Sequence, residues 1–430
     1  MNGASRGEKM AAGRFSKRAT AARGRRKRRD MEGKQVDERR AVRAVTGVTL
    51  ASVLSYAFAN TICSVVINEV IDAFSLTGAA QGLMTSMMYA GMTAALLLGP
   101  VLQGRIRKTT LLVLSGLLQA AALVLAGSAA TFPLHLAALA LLGVGCGWLD
   151  SDANSIIVDA HPVDGKKYLG ALHGLYGIGS LLTPVVIGWL LLAVDWRGSF
   201  FAIATLLLMT MAVGAIVLKR IPRGAEAAAV TAEQRLRPAD IGAYLKNGRN
   251  LLLLGCGTLA AVVQTGVVCW IVRYMTVAFD AAALGKNCIT IFWVCATANR
   301  FLAPRIKTEG LALVIWGAVA AAAVLAAGVL CHSAVAMCVA MGLLGFLTGH
   351  FVPMIVAECA KGYEGSTTLT TSVLMLLMCA GRGVIPPLLA AVTDGVSADA
   401  AMLLLGAASL LCAVLGYFAE RLGKGRAGRA

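Results

Sequence analysis

Charge is scarce in this chain. Of its 430 residues, 14% are Asp, Glu, Lys or Arg and 58% are hydrophobic, against about 25% charged in an average soluble domain, so a water-facing globular surface cannot be built from it. Acidic residues are scarcer still, 22 against 39 basic ones, which leaves a formal net charge of +17. Metal and nucleotide signals are missing. The 11 cysteines lie in or beside apolar stretches without a CxxC or Cys/His ligand spacing, which argues against a metal or redox centre and leaves them as small apolar side chains. No G-x-x-x-x-G-K-[ST] run occurs, so ATP is not the expected energy source. No nucleophile and base stand together as an intramembrane enzyme would need. No cleavable leader is seen either, because the first apolar stretch begins near residue 44 and is long enough to stay as a span. No cofactor is expected.

What the chain has is length of apolar sequence. A helix crosses a bilayer with about 20 mostly apolar residues, and twelve such windows occur, at about 44–71, 80–102, 108–130, 132–159, 168–193, 197–218, 250–279, 284–304, 311–330, 333–360, 365–393 and 398–420. The connections alternate in charge. One side carries the basic N-terminus, Arg105, Arg107, Lys108, Lys166, Lys167, the 219–249 loop, Arg305, Lys307, Lys361 and the basic tail, while the other carries little beyond Asp72, Asp195, Arg197, Asp280, Lys286, Asp394 and Asp399. The excess of Lys and Arg on short cytoplasmic loops predicts a multi-pass protein of the cell membrane with both termini inside.

The predicted architecture is an all-α membrane protein of twelve transmembrane helices in two pseudo-symmetric six-helix bundles. Residues 1–42 read as a disordered basic arm, 43–218 as the first bundle, 219–249 as a cytoplasmic linker with a short surface helix at Ile241–Lys246, 250–420 as the second bundle and 421–430 as a tail. On a chain already in the bilayer, the arm's basic tract is expected to hold the cytoplasmic side and touch anionic lipid rather than nucleic acid. Translation starting at Met31 instead of Met1 is an alternative reading, and a monomer is expected. The duplication rests on an offset of 200 residues: Gly104-Arg105-Ile106-Arg107 matches Pro304-Arg305-Ile306-Lys307, and Gly145 and Asp150 then match Gly345 and His350. Gly177, Gly179 and Pro184 are echoed by Gly381, Gly383, Pro386 and Pro387. A repeated six-span unit is a common plan for secondary carriers.

The most unusual stretch is Gly143-Val-Gly145-Cys-Gly147-Trp148-Leu-Asp150-Ser-Asp152-Ala-Asn154, because a carboxylate at the bilayer centre costs about 2.5–3.5 kcal/mol on insertion scales. On a helix, Gly143, Gly147, Asp150 and Asn154 share one stripe and Gly145, Asp152 and Asp159 the other. Asp150 is expected to face a polar cavity and Asp152 a neighbouring helix. Among the other ionisable residues within spans, Glu69, Asp159, His173, Arg300 and Glu358 lie within about three turns of a membrane face and read as structural. His350 and Arg382 sit deeper, either as parts of a binding or proton site or, for Arg382, as the partner of an aspartate in a permanent internal ion pair.

Gly99-Pro-Val-Leu-Gln103-Gly-Arg105-Ile-Arg107-Lys108 resembles the signature between the second and third spans of the major facilitator superfamily, G-x-L-A-D-R-x-G-R-K, with Gln103 in place of Asp. Trp196-Arg197-Gly198-Ser199-Phe200 resembles the W-R-x-x-F that begins the family's sixth span. Asp150 four residues before Asn154, and Phe58-Ala59-Asn60-Thr61, are similar to the fucose:proton symporter branch, with Thr61 at an acidic position of that branch. The resemblance implies a conformational gating loop at Gly99, Arg105, Arg107 and Lys108, without the Asp-based latch. It also implies a cavity lined by the first, fourth, seventh and tenth spans, through Asn60, Trp148, Asp150, Asn154, Gln264, Trp270, Arg273, Tyr274 and His350. The function implied is secondary transport of a small polar, sugar-like solute by alternating access, coupled to protons through Asp150. A proton-driven exporter and a non-transporting sensor or scaffold are the alternatives.

Overall fold

The computed structural model describes residues 38–102, 106–163, 165–221, 244–306, 311–361 and 367–427, with Val36 and Gly242. Twelve helical spans follow one another. α1 is Glu38–Val65, resuming after Val66 as Ile67–Phe74. α2 is Leu83–Leu102, α3 Lys108–Ser128, α4 Phe132–Ala160, α5 Gly165–Ala193 and α6 Trp196–Lys219. The second half holds α7 (Gly248–Phe279), α8 (Ala282–Leu302), α9 (Ala312–Leu330), α10 (Ala334–Thr348 resuming as Phe351–Lys361), α11 (Thr367–Gly395) and α12 (Ala398–Ala427). Ten of these are long and apolar enough to cross a membrane. The other two also have spanning length: α2 holds no charged residue, and α8 carries Lys286, Asn299 and Arg300. α1 is already helical at Glu38, within the stretch expected to be a disordered arm. The rest of that arm (1–35) and most of the linker (222–241) lie outside the described residues.

Local chemistry fixes the helix ends. The Asp195 carboxylate caps α6 by accepting from the Gly198 N–H at 2.8 Å, and Asn247 caps α7 by accepting from the Arg249 N–H at 3.1 Å. Arg197 donates to the carbonyls of Gly127 and Ala129 (2.8 and 2.7 Å), which α3 leaves unpaired at its end, and stacks on Trp196 at 4.4 Å. The Trp-Arg pair is thus a clamp between α3 and α6.

The halves pack alike: α2 lies on α4, and α3 on α4 and α6, while α8 lies on α10, and α9 on α10 and α12. Glycines set the closest of these approaches. A Cβ at Gly143 would overlap the Met88 carbonyl of α2, and one at Gly345 would overlap the Phe292 carbonyl of α8. Gly147 meets Ala95 and Met92, and Gly349 meets Ala296. These contacts correct the repeat register between α4 and α10: Gly143 corresponds to Gly345 and Gly147 to Gly349, two residues away from the alignment drawn from the sequence. His350 is therefore the counterpart of Trp148, not of Asp150. The bonds agree, since Trp148 Nε1 donates to the Ala95 carbonyl of α2 at 3.0 Å and His350 Nδ1 lies 2.8 Å from Asn299 Oδ1 of α8.

α10 breaks where α4 runs on. Pro353 has no N–H to offer the carbonyl of Gly349, four residues back. Arg300 Nε donates to that carbonyl at 3.1 Å, and the Gln264 amide donates to the neighbouring Thr348 carbonyl. Irregular backbone at membrane depth is tolerated when neighbouring side chains satisfy it.

Candidate functional site

The halves meet through α2 against α11 and α5 against α8, with α1 touching α7. Closure is uneven along this seam. At the end opposite the basic connections, Asn68 Nδ2 donates to Thr276 Oγ1 at 2.7 Å and Lys286 Nζ pairs with Glu69 Oε1 at 2.5 Å. Arg273 Nε donates to Gln81 Oε1 at 3.1 Å, and Gln81 Nε2 to Asp394 Oδ2 at 3.2 Å. Gly82 presses on Pro386 and Pro387. Nearer the middle, Thr290 Oγ1 donates to the Leu181 carbonyl at 3.1 Å. Toward the basic end, the ion pairs stay within one half: Lys108 with Asp159 at 2.9 Å, and Arg249 with Glu358 at 3.1 Å. The bonds that join the halves thus lie at one end of the seam and near its middle.

Between the tied end and the basic end, polar groups from both halves converge. From the first half come Tyr56 and Asn60 on α1, Tyr89 on α2, Asp150 and Asn154 on α4, and Tyr176 on α5. The second half supplies Trp293, Thr297 and Arg300 on α8 and Arg382 on α11. Asp150 lies within electrostatic reach of Arg382, Tyr56 and Tyr176. Asn154 Nδ2 donates to the Asp150 backbone carbonyl at 2.7 Å and reaches its carboxylate at 3.4 Å. Asn60 Nδ2 lies 2.6 Å from the Tyr176 hydroxyl, whose ring is 5.5 Å from Tyr56 and 5.8 Å from Trp293. Asp150, Asn154, Tyr176, Trp293, Arg300 and Arg382 each keep part of their surface accessible although they lie in the middle of the molecule, as groups lining an internal cleft do. Several of their atoms are buried and unpaired: Asn60 Oδ1, Trp293 Nε1, Thr297 Oγ1 and Arg382 Nε. Buried polar atoms without partners are exceptional, and four of those among the described residues belong to this one group of side chains.

The two stripes of α4 separate as their spacing implies. Gly143 and Gly147 press on α2, and Asp150 and Asn154 continue into the cleft. Gly145 meets Ser115 and Gln119 of α3, Asp159 pairs with Lys108 at the start of α3, and Asp152, 1% exposed, lies between them on that face.

Six residues expected to line the cavity lie elsewhere, Trp148 among them, bonded to the Ala95 carbonyl of α2. His350 is buried between α8 and α9, held by Asn299 and near the Leu313 carbonyl. Gln264 is spent on the α10 break. Trp270 is fully buried and donates to Thr393 of α11 at 3.0 Å. Tyr274 donates to Asp399 of α12 at 2.9 Å, and Arg273 belongs to the tied end. Of the gating loop, Arg105 lies outside the described residues and Gly99 falls near the end of α2. Arg107 stands at the start of α3, and Lys108 bonds Ser155 and Asp159.

The cleft also holds residues that the sequence reading passed over or called structural. Arg300 starts near the end of α8 but folds back, its Cζ 5.6 Å from the Trp293 ring. His173 on α5 lies within electrostatic reach of Arg300. Tyr176 sits inside Gly174-Leu-Tyr176-Gly177, and those flanking glycines were the available signal.

The sequence profile described as the Major Facilitator Superfamily matches residues 48–308, more than half of the chain. No curated protein matches it significantly. Among solved structures, it is similar to a bacterial homolog of the human lysosomal transporter Spinster in an inward-facing and occupied conformation, with TM-score 0.69 and 16% identity over 88% of this chain and 96% of that one. It is also similar to the nucleoside transporter NupG, with TM-score 0.69 and 14% identity over 87% and 99%. A third is the D-xylose-proton symporter, with TM-score 0.70 and 13% identity over 87% and 97%. At these identities the likeness is one of fold.

Proposed function

The chain belongs to the Major Facilitator Superfamily, and we propose that this secondary transporter moves a small polar solute by alternating access through the cleft around Asp150, Asn60, Tyr176, Trp293 and Arg382. The observation that carries the reading is the placing of the bonds between the halves: they tie off one end, and behind them Asn60, Trp293, Thr297 and Arg382 face one another with buried polar atoms that have no partner. With the basic connections cytoplasmic, this is an inward-facing arrangement in a cell-membrane protein. Rocking of the halves would break the tie of Asn68, Glu69 and Gln81 to Thr276, Lys286, Arg273 and Asp394 of the second half and expose the same site to the other side.

Asp150 is our choice for the coupling group. A carboxylate opposed to Arg382 but not closed on it can bind and release a proton, and with it change the charge of the site. We read the Asp150–Asn154 spacing as a likeness to the fucose:proton symporter branch. Amide, hydroxyl and indole donors beside aromatic rings suit a solute with hydroxyl groups, and solved structures of similar fold include a D-xylose-proton symporter and a nucleoside transporter. The test is reconstitution into liposomes with Asp150→Asn. Exchange of solute should persist, while proton-driven accumulation falls at least tenfold. Normal accumulation by that variant across a proton gradient would overturn the assignment.

A further inference from the structure

We propose that the solute is an organic monoanion whose carboxylate is held between Arg382 and Arg300. This rests on the transport reading above and names its substrate class. A guanidinium carries five N–H donors in a fixed fork and stays charged in proteins. Among the described residues, that of Arg382 makes neither a hydrogen bond nor an ion pair: Nε is buried and unpaired, and Cζ stands 5.8 Å from the ring of Tyr89. Its helix holds it there, because Gly381 is pressed against Thr258 and Val262 of α7 and Gly383 faces Ser86 and Tyr89 of α2. The side chain therefore projects between the two halves.

A lone cation at that depth is costly. Asp150, within its electrostatic reach, opposes Arg382 without forming an ion pair. Arg300 reaches the same cleft and spends only Nε on protein, at the Gly349 carbonyl, which leaves its two terminal nitrogens for a ligand. Two guanidinium groups against one carboxylate leave one formal positive charge. A neutral sugar would leave that charge standing and a cation would double it, whereas a carboxylate cancels it and matches the planar fork in bidentate geometry. Trp293 Nε1 and Thr297 Oγ1, buried and unpaired, can serve hydroxyl groups on the rest of the solute, and the Tyr176 and Trp293 rings can cover its C–H surface. A hydroxylated carboxylic acid fits all of these.

The experiment is thermal unfolding of the purified full-length protein in detergent with matched probes: gluconate against glucose, lactate against lactamide, and benzoate against benzamide. The expected result is that at least one acid raises Tm while its neutral partner does not. Half-saturation should weaken at least tenfold in Arg382→Gln and less in Arg382→Lys. Arg300→Gln gives the same readout if the Arg382 variants do not fold. Equal shifts from acid and neutral partner, a shift from glucose or uridine alone, a shift only from glucose 6-phosphate, an unchanged response in the Gln variants, or no shift from any acid would each overturn the inference. Liposome counterflow separates this inference from the transport reading. A neutral solute exchanged normally by Arg382→Gln overturns the anion class and leaves transport standing. An acid that binds through Arg382 but is never exchanged overturns transport and leaves the anion site.

Discussion

α4 and α10 are the same helix used twice, and they differ where function enters. Both approach their neighbour through two glycines, Gly143 and Gly147 on α2, Gly345 and Gly349 on α8, and both are bolted there by a ring nitrogen, Trp148 to Ala95 and His350 to Asn299. Beyond the bolt, α4 stays regular and delivers Asp150 and Asn154 to the cleft. α10 breaks, because Pro353 leaves the Gly349 carbonyl without a donor, and the repair brings in Arg300 from α8. The shared part is scaffold and the divergent part is chemistry. One half presents a carboxylate, and the other presents guanidinium groups.

The largest test of this equivalence is at the glycines. Gly143→Leu and Gly345→Leu each force a side chain into the carbonyl of a neighbouring helix, and both should cost about 3 kcal/mol or more, read as loss of monodisperse protein and a lower Tm. If one is tolerated and the other is not, the two helices are not equivalent. At the bolts the effects should be smaller and unequal. Trp148→Phe removes one hydrogen bond to a helical carbonyl, worth about 1 kcal/mol, whereas His350→Phe also leaves the buried Asn299 side chain without its partner, at about 1–3 kcal/mol. Thermal unfolding should rank the His350 variant below the Trp148 variant. Smallest should be Gln264→Leu, which touches only the repair of α10: about 1 kcal/mol, with no counterpart among variants of α1. A larger loss than His350→Phe would mean that the break, not the bolt, holds this half together.

Much of the scaffold was legible because it depends on composition and period: the twelve spans, the two-half plan, and the division of α4 into a stripe toward α3 and a stripe toward α2 and the cleft. The register between halves was not. An offset of 200 matched a motif in the connections but ran two residues out by α10, and that slip promoted His350 to the partner of Asp150. Gln264, Trp270, Arg273 and Tyr274 were named because α7 was expected to line the cavity, but each is spent on a neighbouring helix or on the tied end. Arg300 was missed for the opposite reason. Depth was counted along the backbone, and a long side chain that folds back from the end of α8 reaches farther into the molecule than its Cα. The break in α10 had a signal in Pro353, whose missing N–H frees a particular carbonyl.

That freed carbonyl has a mechanical consequence. Arg300 is at once the donor that closes the Gly349 carbonyl and a cation facing the cleft. A solute that draws the guanidinium toward itself strips α10 of a hydrogen bond worth about 1–3 kcal/mol when left unmade, so occupancy would be felt as a loosening of the joint between Ala334–Thr348 and Phe351–Lys361. The arginine would then act as a clutch, engaging the lower segment of α10 when the cleft is empty and releasing it when the cleft is loaded.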